Sequence, residues 1–411
     1  MRIQLLAVGT TGSVAPYTGL GHRLAADGHD VEVVTHARFA GLVGCCGLRV
    51  RPIDADPFVA LLDAHAGRRR ARGGSLLRAG QRAGLALVDD LLAAVDPGTD
   101  LLLLSTLAAP LGTVLAGYHR MRSMGVFLQP EVPTAAFPPC TMAWRGPGYS
   151  NVLRGRAANA MADVLFGPAR RHLHTRLGLA PRGGRRLRRE RERRRWPIWH
   201  GYSPVVVPRP ADWRPGLHVA GYWWPHECPH WTPPGLVTDF LAAGPPPVLV
   251  SFGSMRPGDA DRLGRIVTRA LRQAGLRGIV QTGWAGLSVV DDDVITIGAV
   301  PHGWLMRRTA AVVHHAGAGT TAACLRAGVP AVPVPVMTDQ PWWAARLAQL
   351  GAGVPAIPYG ELNPARLAAA LVEATGDPAL ARNARAMSTR LAREDGAGAV
   401  SRALAGPAGQ P

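Results

Sequence analysis

The stretch with most to offer chemically is His314-His315-Ala316-Gly317-Ala318-Gly319-Thr320-Thr321, which follows the apolar run Ala311-Val312-Val313 and opens a helix. Glycines let the backbone approach an anion closely, and the unpaired N–H groups of a helix start bind phosphate oxygens. His315 adds a donor or a positive charge. Gly-x-Gly alone would read as a tight strand-to-helix turn with a structural histidine; paired histidines and paired threonines at one junction favour a phosphate loop. Downstream, after Val332-Pro333-Val334-Pro335, the run Met337-Thr338-Asp339-Gln340-Pro341 again ends a strand and opens a helix. A carboxylate beside a carboxamide supplies both the acceptors and the donors that vicinal sugar hydroxyls demand. Taken alone, Asp339 is more simply a helix N-cap; its place beside the phosphate loop favours sugar binding.

Such loops need strands to deliver them and helices to receive them, and the sequence supplies that pattern twice. Apolar runs of strand length alternate with longer amphipathic stretches, as in parallel βαβ units. In the first half, strands are expected near residues 3–8, 31–35, 101–105 and 126–128, with helices from Tyr17, Ala37, Ser75 and Pro110. Residues 151–178 read as helix, followed by short strand-like pieces around Ile198 and Val205. In the second half, strands are expected at 248–252, 278–282, 294–297, 311–314 and 331–334, with helices from Asp259, Ala318, Gln340 and Pro364. Pro225, Pro229, Pro233, Pro234 and Pro245 to Pro247 mark a stiff, irregular linker. The expected organisation is a Rossmann-like domain over 1–222, a proline-rich linker over 223–247, a second Rossmann-like domain over 248–390, and a C-terminal helix and tail over 391–411 placed to cross back to the first domain. The fold class is α/β, two doubly wound domains facing across a cleft, with ligands at the carboxyl ends of the strands.

A chain of 411 residues suits two domains of about 200 residues each. It contains no lysine, yet 46 basic residues against 28 acidic ones leave a net charge of +18, which points to an anionic partner. Much of the excess is local: Arg182, Arg185, Arg186, Arg188, Arg189, Arg191, Arg193, Arg194 and Arg195 are relieved only by Glu190 and Glu192. The run reads first as a solvated linker and second as a peripheral contact with an anionic membrane face. A nucleic-acid partner is not expected, because no aromatic residues interleave the run. Cys45, Cys46, Cys140, Cys228 and Cys324 lack C-x-x-C spacing, so neither a disulfide framework nor a zinc site is expected, and a reducing cytoplasmic location fits. The first residues read as a buried strand rather than a signal peptide, and no stretch reaches the roughly 18 apolar residues of a membrane span.

Taken together, Ser251-Phe252-Gly253-Ser254, Val300-Pro301-His302-x-Trp304, the 314–321 loop and Asp339-Gln340 resemble the donor half of family 1 glycosyltransferases, in the bacterial sterol and antibiotic branch. Gly9-Thr10-Thr11-Gly12-Ser13-Val14-Ala15-Pro16 and Gln129-Pro130-x-x-Pro133-Thr134-x-x-Phe137-Pro138 are similar to that branch's acceptor signatures. Trp213-Arg214-Pro215 and Gly221-Tyr222-Trp223-Trp224-Pro225 are similar to its approach between domains. The resemblance implies a GT-B fold and a metal-independent inverting transfer of a hexosyl or deoxyhexosyl group. The donor would be a UDP- or dTDP-sugar, a co-substrate rather than a cofactor, and the acceptor a hydroxyl of a lipophilic sterol-like, polyketide or other secondary metabolite. It also implies residue roles. Ser254, His315, Gly317, Gly319 and Thr320 would hold the diphosphate, with His314, Ala318 and Thr321 completing the loop. Val300 and Trp304 would line the base site, and Asp339 and Gln340 would hold the sugar. Thr11, Gly12, Ser13, Gln129 and Phe137 would meet the acceptor.

One departure bears on mechanism. The branch usually reads Gly-x-Arg-Gly-Asp-Val-x-Pro at the first loop, with the aspartate as the acceptor's base, whereas here Thr11 and Ser13 stand at the arginine and aspartate positions. A neutral hydroxyl takes no proton unaided at pH 7, and loss of a general base removes roughly two to four orders of magnitude in rate. Candidate replacements are His22, His36 and Asp339, or an unusually acidic acceptor that needs no base. A protein of the same fold that binds nucleotide sugar or lipophilic ligand without turnover is the alternative from another class. A sugar-nucleotide epimerase is a third option, weakened by the Asp339-Gln340 pair and the 129–138 signature.

Overall fold

The computed structural model describes residues 1–56, 73–144, 146–255, 258–289 and 291–406. The chain forms two compact units: Met1–Pro139, Gly146–Pro229 and Asp395–Pro411 make the first, Cys140–Arg145 and His230–Glu394 the second.

The first unit is built on seven parallel strands, β1 (Arg2–Ala7), β2 (Asp30–His36), β3 (Arg49–Ile53), β4 (Leu101–Leu104), β5 (Arg122–Phe127), β6 (Ile198–His200) and β7 (Leu217–Val219), in the order β3-β2-β1-β4-β5-β6-β7. The central strands are the most apolar, because helices cover both faces of such a sheet. Leu5 of β1 stands opposite Val33 of β2 and Leu103 of β4, and all three are buried. The helix Thr11–Ala26 buries Val14, Tyr17, Leu20 and Leu24, one helical stripe. The Tyr17 hydroxyl donates to the Val126 carbonyl at 2.7 Å and locks the helix to the sheet.

The second unit holds five parallel strands, β8 (Val248–Ser251), β9 (Gly278–Gln281), β10 (Val294–Ile297), β11 (Ala311–His314) and β12 (Ala331–Pro333), in the order β10-β9-β8-β11-β12. Val250, Val280, Val313 and Val332 join Leu263, Val267, Leu271 and Leu371 in one core. In both sheets the strand order reverses once, between β1 and β4 and between β8 and β11. The carboxyl ends of the strands at that reversal form the natural ligand crevice of each unit.

Several elements depart from the sequence reading, each for a physical reason. β3 was not expected, because Arg49 and Arg51 interrupt its apolar pattern. It is an edge strand whose arginines pair with Asp30 and Glu32 of β2, and an edge tolerates Pro52. No strand forms at Val205; Ser203 accepts the Val205 N–H at 3.0 Å in a turn, and the last strand of the sheet is β7. The proline-rich stretch is not wholly irregular. Trp223 is fully buried in the first unit, and Pro234 caps a helix, Gly235–Ala242, since proline is tolerated at a helix start.

The arginine run is not a solvated linker either. It forms the helix Gly184–Arg193, in which Arg188 donates to the Asn159 carbonyl at 3.1 Å and pairs with the Asp163 carboxylate. Arg191 stacks 5.4 Å from the Trp196 ring centroid, and burial, with Arg188 beside it, pulls its guanidinium down to about 10. The last part of the chain is shared between the two units. The helix Pro378–Leu391 belongs to the second unit and the helix Gly396–Ala405 to the first.

Candidate functional site

In the second unit the loops after β8, β11 and β12 leave the carboxyl ends of adjacent strands, so Ser254, the 315–321 loop and Asp339 are brought to one end of one sheet. His314 and Ser251 are partners in the β11–β8 ladder. His314 itself is fully buried, and its Nδ1 accepts the Ala316 N–H at 3.0 Å. That bond bends the chain into a left-handed turn at Ala316, with φ of 60°, a conformation costly for any residue with a Cβ. Gly317 then caps the helix Ala318–Ala327 with no side-chain bond and no acid in its first turn. The first N–H groups of that helix are left for an anion.

His315 lies between two glycines. A Cβ at Gly317 would fall 2.5 Å from its Nε2, and one at Gly253 would fall 3.2 Å from its Cε1. Only glycine lets the ring sit this close to both loops. Burial, reinforced by His302 and opposed by the Ser251 carbonyl, pulls the His315 imidazole down to about 4. It is therefore a neutral donor at pH 7 rather than the positive charge that sequence alone allowed. Burial likewise holds His314 down at about 3 and His302 at about 4. The His314 Nε2 and the Thr321 Oγ1 are buried without a hydrogen-bond partner, and such unsatisfied groups gather at functional loops.

At the end of β12, Thr338 is the second left-handed residue of the site, with φ of 54°, an outlier for a β-branched side chain. Asp339 occupies the N-cap position of the helix Gln340–Gln349 but makes no capping bond; its Oδ1 accepts the Thr338 hydroxyl at 2.9 Å. The capping role suggested for it is thus not the one it plays. Gln340 is buried, and its Oε1 accepts the Val336 and Met337 N–H groups at 2.7 and 3.0 Å while its Nε2 reaches Met255 Sδ at 3.2 Å. The carboxamide shapes the loop and ties it to the Ser254 loop. After β10, Val300 is buried and Trp304 half-buried; Trp231 stands edge-on to the Trp304 ring at 5.4 Å and the Arg308 guanidinium lies 4.3 Å above it.

In the first unit, the loop after β1 carries Thr11, Gly12 and Ser13 into the first turn of the helix Thr11–Ala26. Thr11 and Gly12 are exposed and Ser13 half-buried. Gly9 has φ of 142°, and a Cβ there would fall 2.7 Å from the Ser13 Cβ, so its glycine makes room for Ser13. The Gly9 N–H donates to His36 Nε2 at 3.0 Å, and His36 Nδ1 donates to the Ala55 carbonyl at 2.7 Å. Arg38, paired with Asp56 at 2.7 Å, donates to the Gly9 carbonyl at 3.1 Å.

His36 therefore has both nitrogens committed, is held below its usual range by burial, and is not available as a base. His22 follows Ser13 by nine residues along one helix, roughly 13 Å at 1.5 Å per residue, and stacks on His226 at 3.6 Å. Neither histidine replaces the missing carboxylate. At the end of β5, Gln129 is half-buried and Phe137 buried. The loop between them is pinned by Asp212, which accepts the Thr134 hydroxyl at 2.6 Å and the Ala135 N–H at 2.8 Å. Asp212, the Arg38–Asp56 clamp and Met255 were missed by the sequence reading, since nothing in their local spacing announces a partner so distant in the chain.

Known proteins resemble this chain over nearly its whole length. Residues 279–404 match the model of the C-terminal domain of erythromycin biosynthesis protein CIII-like proteins. The chain is 35% identical to an O-mycaminosyltylonolide 6-deoxyallosyltransferase of Streptomyces fradiae, over 96% of this chain and 95% of that one. It is 30% identical to a sterol 3-β-glucosyltransferase of Arabidopsis thaliana, over 97% of this chain and 64% of that one. Among solved structures it resembles the glycosyltransferase of kitacinnamycin, with TM-score 0.73, 20% identity and 98% of both chains covered. It also resembles the glycosyltransferase SsfS6 of Streptomyces sp. SF2575 in complex with thymidine diphosphate, with TM-score 0.65, 21% identity, and 98% and 99% covered.

Proposed function

From its membership of the EryCIII-like glycosyltransferases we infer that this chain, a GT-B glycosyltransferase, moves a hexosyl or deoxyhexosyl group from a UDP- or dTDP-sugar to a hydroxyl of a polyketide or sterol-like acceptor, with inversion at the anomeric carbon. The observation that carries the reading is the uncapped helix start at Ala318 beside a neutral His315 in a loop strained at Ala316. It offers backbone N–H groups and one imidazole to a diphosphate. Ser254, Gly317, Gly319 and Thr320 complete that cradle. Val300 and Trp304 bound the base, and Asp339 meets the sugar hydroxyls. His314 and Gln340 act at one remove, holding the loops that present these groups.

In the transfer the acceptor oxygen attacks C1 of the sugar as the C1–O bond to the β-phosphate breaks, and the nucleoside diphosphate leaves. The helix start and His315 stabilise the charge that develops on the leaving oxygen, so no metal is required. The acceptor's proton goes to Asp339 or to water, because Ser13 at the usual base position orients the hydroxyl without accepting its proton. Thr11, Gly12, Ser13, Gln129 and Phe137 frame the acceptor.

Among the described residues no helix is long and apolar enough to cross a membrane. A cytoplasmic protein that touches an anionic membrane peripherally agrees with that and with the +18 charge. The test is a reaction of the purified protein with a panel of UDP- and dTDP-sugars and polycyclic or macrolide alcohols, with and without chelator, read by mass spectrometry. A product heavier than the acceptor by one glycosyl residue, formed equally with chelator, is expected. Nucleotide binding with no product from any acceptor would instead favour the non-catalytic alternative.

A further inference from the structure

The helix Tyr149–Leu165 in the first unit carries an apolar face that stands exposed among the described residues. Its inner side packs through Asn151 and Gly155, the latter so close to Pro133 that a Cβ would fall 2.8 Å from that ring. On the opposite side Tyr149, Leu153, Met161 and Val164 are 74, 52, 61 and 50% exposed, and Ala157 and Ala160 between them are exposed too. Positions 149, 153, 157, 160, 161 and 164 lie three, four or one apart and form one stripe on a helix. Isolated exposed apolar residues are ordinary, whereas a contiguous stripe marks a contact surface.

Alongside this stripe runs the basic helix Gly184–Arg193, fixed there by the bonds from Arg188 to Asn159 and Asp163. Gly184 and Arg188 face the neighbouring helix, which leaves Arg185, Arg186, Arg189 and Arg193 exposed. None of these four pairs with a carboxylate among the described residues, whereas Arg182 and Arg194 share Glu190. Arg156 adds one more exposed charge on the stripe helix itself.

We propose that these two helices together dock the protein on an anionic lipid bilayer, the stripe entering the headgroup boundary and the arginines meeting the lipid phosphates. The proposal rests on the reading of a lipophilic acceptor, which would partition into that bilayer. Charge decides between occupants. A second copy on this face would set the same arginines against each other, because a two-fold contact pairs a surface with itself. Nucleic acid would meet the arginines but leave the apolar stripe uncovered. An anionic bilayer satisfies both halves of the surface, as interfacial helices with basic flanks do.

The test is cosedimentation of the full chain with phosphatidylcholine vesicles and with vesicles containing a third phosphatidylglycerol. Two triple variants are compared with it, Leu153→Ser/Met161→Ser/Val164→Ser and Arg185→Gln/Arg186→Gln/Arg189→Gln. All six side chains point to solvent, so both variants should keep the native melting temperature and the native turnover of a water-soluble acceptor. Binding to the anionic vesicles, weak binding to the neutral ones, loss in high salt, and at least a tenfold drop in partitioning for each variant are the expected results. No binding to anionic vesicles, or binding that both variants retain, overturns the proposal. So does a dimer in analytical ultracentrifugation that the serine variant dissolves while vesicles bind nothing. Vesicle binding requires no turnover, so failure of the transferase reading would show in the product assay and failure of this one in the pellet.

Discussion

At the scale of single residues, the site turns on two side chains whose chemistry the sequence names and the structure qualifies. His315 is a neutral donor, since burial holds its imidazole near 4, so a diphosphate should bind without bringing a proton. Calorimetry at pH 8 in two buffers of different ionisation enthalpy should give one binding enthalpy, and His315→Ala should weaken UDP or dTDP roughly tenfold or more, one charge-assisted hydrogen bond. Unchanged affinity would remove His315 from the phosphate site. Ser13 sits in the first turn of the helix Thr11–Ala26, a turn without any acid. A carboxylate placed there would be favoured by the helix start by roughly 0.3 to 1 kcal/mol and stay ionised. Ser13→Asp should therefore supply a base and raise kcat for weakly acidic alcohols about a hundredfold, with Ser13→Ala changing little. A native activity abolished by the aspartate would mean that the pocket is built around the hydroxyl.

At the scale of elements, loops and helices are held by bonds that reach across the chain. Gln340 closes its loop through two backbone N–H groups. Gln340→Leu leaves both half-buried donors without this acceptor, at up to about 1 to 3 kcal/mol each, and should lower the melting temperature and raise the KM for donor together. Gln340→Glu keeps the acceptor oxygens and should preserve the fold. Arg188 pairs with Asp163 and bonds to Asn159, so Arg188→Ala leaves that partly buried carboxylate only the longer pair with Arg170 at 4.0 Å and should destabilise the first unit by about 1 to 3 kcal/mol. Arg189→Gln, on the exposed side, should not change stability measurably. Equal denaturation midpoints for the two arginine variants would return the run to a solvated role. What was legible divides along the same line. The central strands, whose uninterrupted apolar runs such as Leu101–Leu104 read directly, and the glycine and Asp-Gln junctions are local patterns. The edge strand Arg49–Ile53, the role of His36 and the bond from Gln340 to Met255 depend on partners in other elements. Spacing reveals residue types that could bind a sugar nucleotide, but it does not say which of them are already spent on holding the backbone.

At the scale of the molecule, the chain ends by returning to where it began. After the helix Pro378–Leu391 completes the second unit, the helix Gly396–Ala405 packs on the helix Thr11–Ala26 in the first. Val400 is fully buried there. The Ser401 hydroxyl donates to Asp27 at 2.5 Å, Arg23 pairs with Asp395 at 3.2 Å, and the Trp223 indole N–H donates to the Gly396 carbonyl at 3.2 Å. Gly396 lies so close to the 221–222 backbone that a Cβ would fall 2.5 Å from the Gly221 carbonyl oxygen. Trp223 is thus sealed by a segment some 170 residues away, which makes the first unit discontinuous in sequence and dependent on the end of the chain for its core. A chain ended after Glu394 should melt in two steps. The first unit should unfold at lower temperature, with Trp223 exposed and tryptophan emission shifted to the red. The second unit, to which none of the removed residues belongs, should unfold as in the full chain. Val400→Asp, which buries an unpaired charge at the same contact, should reproduce the first effect without shortening the chain. Calorimetry on both variants with dTDP present separates the units, because a ligand stabilises only the part that binds it. If dTDP failed to raise the upper transition, the donor would not bind in the second unit; if the truncation left the lower one unmoved, the terminal helix would be an ornament of the first unit rather than part of its core.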